Sequence, residues 1–501
     1  MRRLWIPLLF VVGIFGSFLL TYTPAQEYEV AWTPAAAAGG ALLEFFACNK
    51  QTQETVAATT FERHAECTFD RTGLDAGTNF LVWGHVSYRS SDGTTVGKIR
   101  LTTNDFTGTH TGSNNAAVLT DSAAAFPTPN GLKGYHIFNE TDNSSCAVFS
   151  NTATTVTCFN EGPLDNGTDD DFDTSDSYHI AYAGLEDGIE PVHSSATFPH
   201  GDTETFFKRI TLDDKSYTMS LDMNRRSGAG NVEIENSSLV FIEEPAGTVY
   251  AETFSDTYAR VSTLTDYMSL TVNATSTQSY LICASVERNM EDEGAADGVK
   301  FINDTDTVTF FNEVDADIGD TTNNNRWSAV TNCAYESIPD TPDKTYKIQH
   351  HGDSAADEHL IRMGFMVAIP FDAFGTTYTD TLTADHEVLN TSYVDSAMDQ
   401  TQTLSGNQLI IAGLKLGNNH TTSARGSSTR LAVGATLYPS YHLEGRLGDS
   451  SPSAGFTYIL VHGANISGST QVVVSAASED TGTGNHASIE ADSYLFIGEV
   501  P

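Results

Sequence analysis

The chain has 501 residues, and its 25 Lys and Arg stand against 65 Asp and Glu, a formal charge of −40. That balance argues against nucleic acid and anionic lipid as partners, because both are held by clustered Lys and Arg. It suits a salty medium or divalent cations, although solubility alone would account for it, and the length calls for several domains because one core rarely organises so long a chain.

In chain order, residues 1–25 read as a secretion signal. Met1-Arg2-Arg3 gives a basic head, Leu4 to Leu20 an uncharged, mostly apolar run, and the Pro-containing tail places a cut near Ala25. The alternative is a retained membrane anchor, since about 17 residues just span a bilayer. No second apolar run of that length follows, so the mature body is expected to be soluble and either extracellular or at the cell surface.

Residues 26–47 form an N-terminal arm in which Tyr28, Val30 and Trp32 alternate with polar or small neighbours. An extended arm of this kind can add a strand to a neighbouring subunit's open sheet edge. It can also complete its own module's sheet or act as a linker.

Three stretches then share one layout. Each begins with an apolar strand, around Phe80 to Val86, Tyr280 to Val286 and Leu409 to Leu414, and each closes with a strand pair ending in proline. The closing strands are Leu239-Val240-Phe241-Ile242 before Pro245, Met366-Val367-Ala368-Ile369 before Pro370, and Tyr494-Leu495-Phe496-Ile497 before Pro501. Period-two alternation, as at Tyr217, Met219, Leu221 and Met223, marks half-buried antiparallel strands. The closing prolines recur at intervals of about 130 residues, close to one sandwich or jelly-roll domain.

The expected fold is therefore all-β, with tandem antiparallel β-sandwich modules of jelly-roll or Ig-like type over 48–245, 246–371 and 372–501. The first carries a long insertion at about 90–175, or else a separate small domain. Modules whose cores close independently would meet end to end as a rod.

Six cysteines fall as near neighbours, Cys48 with Cys67, Cys146 with Cys158, and Cys283 with Cys333, which in an exported chain suggests three local disulfides. Asp169, Asp171 and Asp173 alternate in one acidic run, and Asp315, Asp317 and Asp320 form a weaker one. Oxygen ligands so spaced could converge on calcium, the one cofactor the sequence suggests, or remain solvated loops. His350, His351 and His359 flank an acidic hairpin loop that could hold a transition metal if its ends meet. Otherwise His350 simply continues an alternating strand.

Asn-x-Ser/Thr acceptors occur at Asn139, Asn143, Asn166, Asn236, Asn273, Asn303, Asn390, Asn419 and Asn465. No Gly-x-Ser-x-Gly or His-Glu-x-x-His motif is present. Among so many acidic residues, a carboxylate pair at glycosidase separation is uninformative. No enzyme is expected.

The layout is similar, in a general way, to the tandem β-sandwich modules of surface layers, extracellular filaments and viral fibres. The function it suggests is a structural subunit of a filament, coat or spike that associates with copies of itself. The alternative is an adhesin or carbohydrate-binding protein, with aromatics such as Trp32 and Trp327 stacking on glycans.

Overall fold

The computed structural model describes residues 28–30 and 43–501, apart from positions 52 and 104 and segments 91–94, 160–170, 186–200, 255–256, 260–263, 291–295, 317–325, 352–358, 389–391, 419–424, 445–455 and 479–486. Among the described residues the regular secondary structure is all antiparallel strand, save one 3-10 turn at Phe371–Ala373. The all-β, jelly-roll-like sandwich architecture read from the alternation is what the chain adopts.

The first module packs two sheets. One orders Tyr28–Val30, Phe45–Lys50, Val232–Glu243, Thr78–Ser90 and Gly201–Leu212, and the other orders Ala183–Leu185, Val96–Thr102, Ser216–Ser227 and Glu62–Asp70. Phe46, Phe80, Val82 and Phe241 from the first sheet meet Phe69, Met219 and Leu221 from the second, with Phe46 and Phe69 stacked at 4.1 Å. A Cys48–Cys67 disulfide ties the two layers.

The long excursion departs after Val96–Thr102 and returns at Ala183–Leu185. It is a small domain with its own six-stranded sheet, running from Thr107–Thr109 to Val118–Thr120 across the layers. Its core gathers Leu119, Ile137, Val148, Val156, Phe172 and Tyr178, and Cys146–Cys158 links its neighbouring strands.

The second module repeats the two-layer plan. Val249–Thr253, His359–Pro370, Gln278–Met290 and Arg326–Ile338 lie over Thr265–Val272, Lys344–His351, Ala296–Asn303 and Val308–Ala316. Cys283 and Cys333 are direct partners on adjacent strands and are bonded to each other.

The third module is a single eight-stranded sheet that curls on itself. Its two long strands, Val394–Asn418 and Phe456–Ser478, run side by side. Met398 and Leu404 from one half of the first strand and Ile410 and Leu414 from the other enter one core, which a flat sheet of that length could not manage. The corner falls at Gly406 and Gly468, whose φ values of 76° and 100° only glycine adopts without strain.

The modules do not form a rod. Each has one sheet that is apolar on both faces, and the three outer faces meet in a shared core. Along Thr78–Ser90, Phe80 and Val82 point into the first module while Leu81 and Trp83 point to its neighbours. Ile282 and Leu281, Met366 and Val367, Ile410 and Ile411, and Leu495 and Phe496 divide in the same way. Trp83, fully buried, stacks on Phe207 at 4.6 Å, and Phe207 meets Phe365 of the second module edge-on at 5.1 Å. End-to-end modules would leave these second faces wet, and burying them is the larger gain at about 25 cal/mol per Å².

Candidate functional site at the module junctions

The seam between the first and third modules is built from one strand edge. Along Phe456–Ser478 the carbonyls of Ile459, Val461 and Gly463 alternate, so all three emerge on one side. Each accepts from a different strand of the first module: Thr205 Oγ1 on Ile459 at 3.1 Å, Ser238 Oγ on Val461 at 2.6 Å, and Asn49 Nδ2 on Gly463 at 2.9 Å. Open strand edges invite foreign strands, and here side chains cover the edge in place of a ladder. Thr205 also lies 3.1 Å from His85 Nδ1. His462 sits within the accepting strand, buried like His85.

At the seam with the second module, Thr331 Oγ1 donates to the Thr205 carbonyl at 2.6 Å, and Glu204 Oε2 accepts the Ala329 N–H at 3.0 Å.

The inserted domain docks through buried charge. Glu287 Oε2, in the second module, lies 3.2 Å from His136 Nε2 of the insert and accepts the Arg362 Nε–H at 3.1 Å. Lys208 of the first module donates to the Gly134 carbonyl of the insert at 3.1 Å. Burial disfavours the Glu287 carboxylate, but His136, Arg362 and Lys208 outweigh it and hold the group down to about 2. Burial also pulls Lys208 below the usual lysine range, against the attraction of Glu287. On the other side of the insert, Arg100 of the first module reaches Glu140 at 2.8 Å, and Lys98 Nζ donates to the Asn143 carbonyl at 2.6 Å.

The residues expected to hold a metal ion lie partly outside the described residues. Asp173 and Asp171 are both partly buried in the insert, but Asp173 accepts the Asn115 N–H at 2.9 Å. Asp169 lies outside the described residues. Asp315 is in the Val308–Ala316 strand, paired with Asp297, while Asp317 and Asp320 lie outside the described residues. Among the described residues no three His, Cys, Asp or Glu side chains are grouped to hold a metal ion. His350 is buried in the second module with its ring edge-on to Tyr267.

The N-terminal arm completes its own sheet. Tyr28 pairs with Asn49 and Val30 with Ala47, and Trp32 lies outside the described residues.

Sequons also divide. Asn139, Asn236 and Asn303 are 1, 3 and 0% exposed, and the Nδ2 groups of two of them are already engaged. Asn139 donates to Asp142 and Asp176, and Asn303 to Asp306 and Glu336. These three correct the expectation of glycans there, since the fold has no room for a sugar on a buried amide. Asn143 is half-buried, Asn273 and Asn465 are exposed, and Asn166, Asn390 and Asn419 lie outside the described residues. In a glycosylating host, peptide mapping is expected to find sugar on Asn273 and Asn465 and none on Asn303; an occupied Asn303 would contradict the burial.

Between the second and third modules lies a cleft of about 250 Å³. Asn332, Tyr335, Thr381, Lys415, Asp492 and Tyr494 line it, with Tyr335 bonded to Thr381 across the seam. Tyr494 packs flat on Gly413, where a Cβ would come within 2.0 Å of its ring.

No family model and no curated protein matches the sequence. Among solved structures, a protein of an archaeal virus described by its triple jelly-roll fold and turret assembly aligns over 90% of this chain and 90% of its own, at 11% identity and a TM-score of 0.18. The infectious bursal disease virus Gt strain structure aligns over 93% and 84%, at 9% identity and 0.19. Tandem CBM22 domains of Paenibacillus barcinonensis Xyn10C align over 50% and 93%, at 11% identity and 0.14. At such scores these likenesses carry no argument about what this chain does.

Proposed function

We propose that the chain is an exported structural subunit that assembles with copies of itself into a filament, coat or spike. The shared three-module core carries this reading. Domains joined through small polar contacts move against one another by default, whereas a large apolar interface fixes them as one body. A building block must transmit shape in this way. Three disulfides, one in the first module, one in its insert and one in the second module, favour the same reading and an oxidising extracellular setting.

Electron microscopy of the secreted, undenatured protein, with and without a calcium chelator, tests the proposal. Ordered polymers are expected, and their loss on chelation would make divalent ions part of the joint. Monodisperse monomers in both conditions would overturn it. The cleft favours a second reading, glycan binding, because it sets tyrosine rings beside amide, hydroxyl and charged groups. Monomers that bind on a glycan array, and lose binding in Tyr335→Ala, would establish that reading instead.

A further inference from the structure

Of the seven histidines buried among the described residues, four sit where units meet, while His64, His110 and His350 lie inside the first module, the insert and the second module. His85 and His462 sit at the seam of the first and third modules, His136 at the docking face of the insert, and His179 where the insert returns to the first module, its Nε2 2.8 Å from the Thr103 carbonyl. The modules' own cores are sealed by apolar side chains. The seam of the first and third modules is held by three side-chain donors, and His85 touches one of them.

We propose that mild acid opens the seam between the first and third modules while leaving each module folded, with His85 and His462 as the releasing groups. This does not depend on whether copies assemble.

Burial holds His85 down to about 4, and burial together with the nearby His85 holds His462 down to about 3. In the closed seam both are therefore neutral near pH 7. Opening returns them to water, where imidazole has its ordinary value of about 6.5. Below that value the open form binds protons that the closed form refuses. The seam is thus at full strength above about 6.5 and loses it as pH falls toward about 4, with opening favoured about tenfold more per pH unit for each histidine.

Among the described residues, the other ionisable groups near these seams fall into three sets. Glu204, on the strand that carries Thr205, is tied to the Ala329 N–H. Lys208, His136, Arg362 and Glu287 form the seam with the insert, where the Glu287 carboxylate is held by the groups around it. Acid therefore leaves that contact at full strength down to about pH 4.5, and it fades only below that, as pH falls toward 2. His179 is held down to about 3 by burial, with Arg100 and Arg63 adding to it, and has Glu140 3.8 Å from its Nδ1. It loosens only the root of the insert.

Trp83, at the centre of the shared core, reports on opening. With Trp5, Trp32 and Trp327 changed to Phe, it is the sole indole. Acrylamide quenching of Trp83 is expected to rise steeply between pH 6.5 and 4.5 while far-UV circular dichroism holds. His85→Gln with His462→Gln is expected to flatten that rise, and His462→Gln alone to halve its logarithmic slope. X-ray scattering of the unmodified protein should show a larger radius of gyration over the same interval, whatever the variants do. Protection of Trp83 down to pH 4.5, loss of circular dichroism in step with quenching, an unchanged slope in the double variant, or a constant radius would each overturn the proposal.

Discussion

Glu287→Ala is expected to undock the inserted domain and to lower stability by about 3–5 kcal/mol, the usual cost of removing one partner from a buried charge pair. The side chains of Glu287 and Arg362 are each 5% exposed and His136 is fully buried, so water cannot replace the missing carboxylate. Lys208 loses its compensating charge as well. Glu287→Gln should keep the shape and still lose most of the stability, because the neighbouring groups remain charged or polar. By contrast, breaking the Arg63–Glu66 pair, 41 and 43% exposed, should cost under about 1 kcal/mol. Urea denaturation measures the losses, and early proteolysis within the insert would show that it has come free. An unchanged Glu287→Ala midpoint would mean the cluster contributes nothing net. The folded-state value of about 2 adds a pH signature: the cluster is at full strength above about 4.5 and fades as pH falls toward 2, a fading that Glu287→Gln should abolish.

The second large effect is steric. A Cβ on Gly463 would lie 2.3 Å from Ala47 Cβ, 2.9 Å from the Phe45 ring and 3.3 Å from a Val240 methyl. Ala47 Cβ is rooted in a strand and cannot swing aside, so Gly463→Val must push the third module off the first. Overpacking typically costs about 1–3 kcal/mol, and here the three edge carbonyls lose their donors as well. Since every module has its own core, the expected result is loss of cooperativity: a single thermal transition splits, with the third module melting separately. A variant that melts as one unit at an unchanged temperature would show that the seam absorbs the methyl groups.

Much of this architecture was legible in the sequence. Alternation at Tyr217, Met219, Leu221 and Met223 reported a strand with one buried face, and those side chains do fill one core. The excess length of the first module reported an inserted unit. Near-neighbour cysteines reported local pairing.

What the sequence reading missed was the meaning of its own most apolar segments. Leu81-Val82-Trp83 and Leu409-Ile410-Ile411-Ala412 do not alternate, and an unbroken apolar run is the mark of a strand buried on both faces. Read only as opening strands of modules whose cores close independently, they left the rod standing; taken at face value, they required a partner for the second face. The junction's polar groups gave no such signal. Thr205, Ser238 and Asn49 are three common residues in a chain rich in their kind, and only the crossing of distant strands makes them donors to one edge. His85 and His136 each lie inside an ordinary strand, and nothing local marks either as a group at a seam.

The root of the insert has a consequence for how such a chain can change. Leu101 and Ala183 are paired on adjacent strands of the same sheet, so the excursion leaves and returns at one point. A short turn joining those positions would preserve the register of the host sheet, and a different domain could be spliced in there. The three-module block and the unit it carries can therefore diversify at separate rates, one conserved for shape while the other is exchanged.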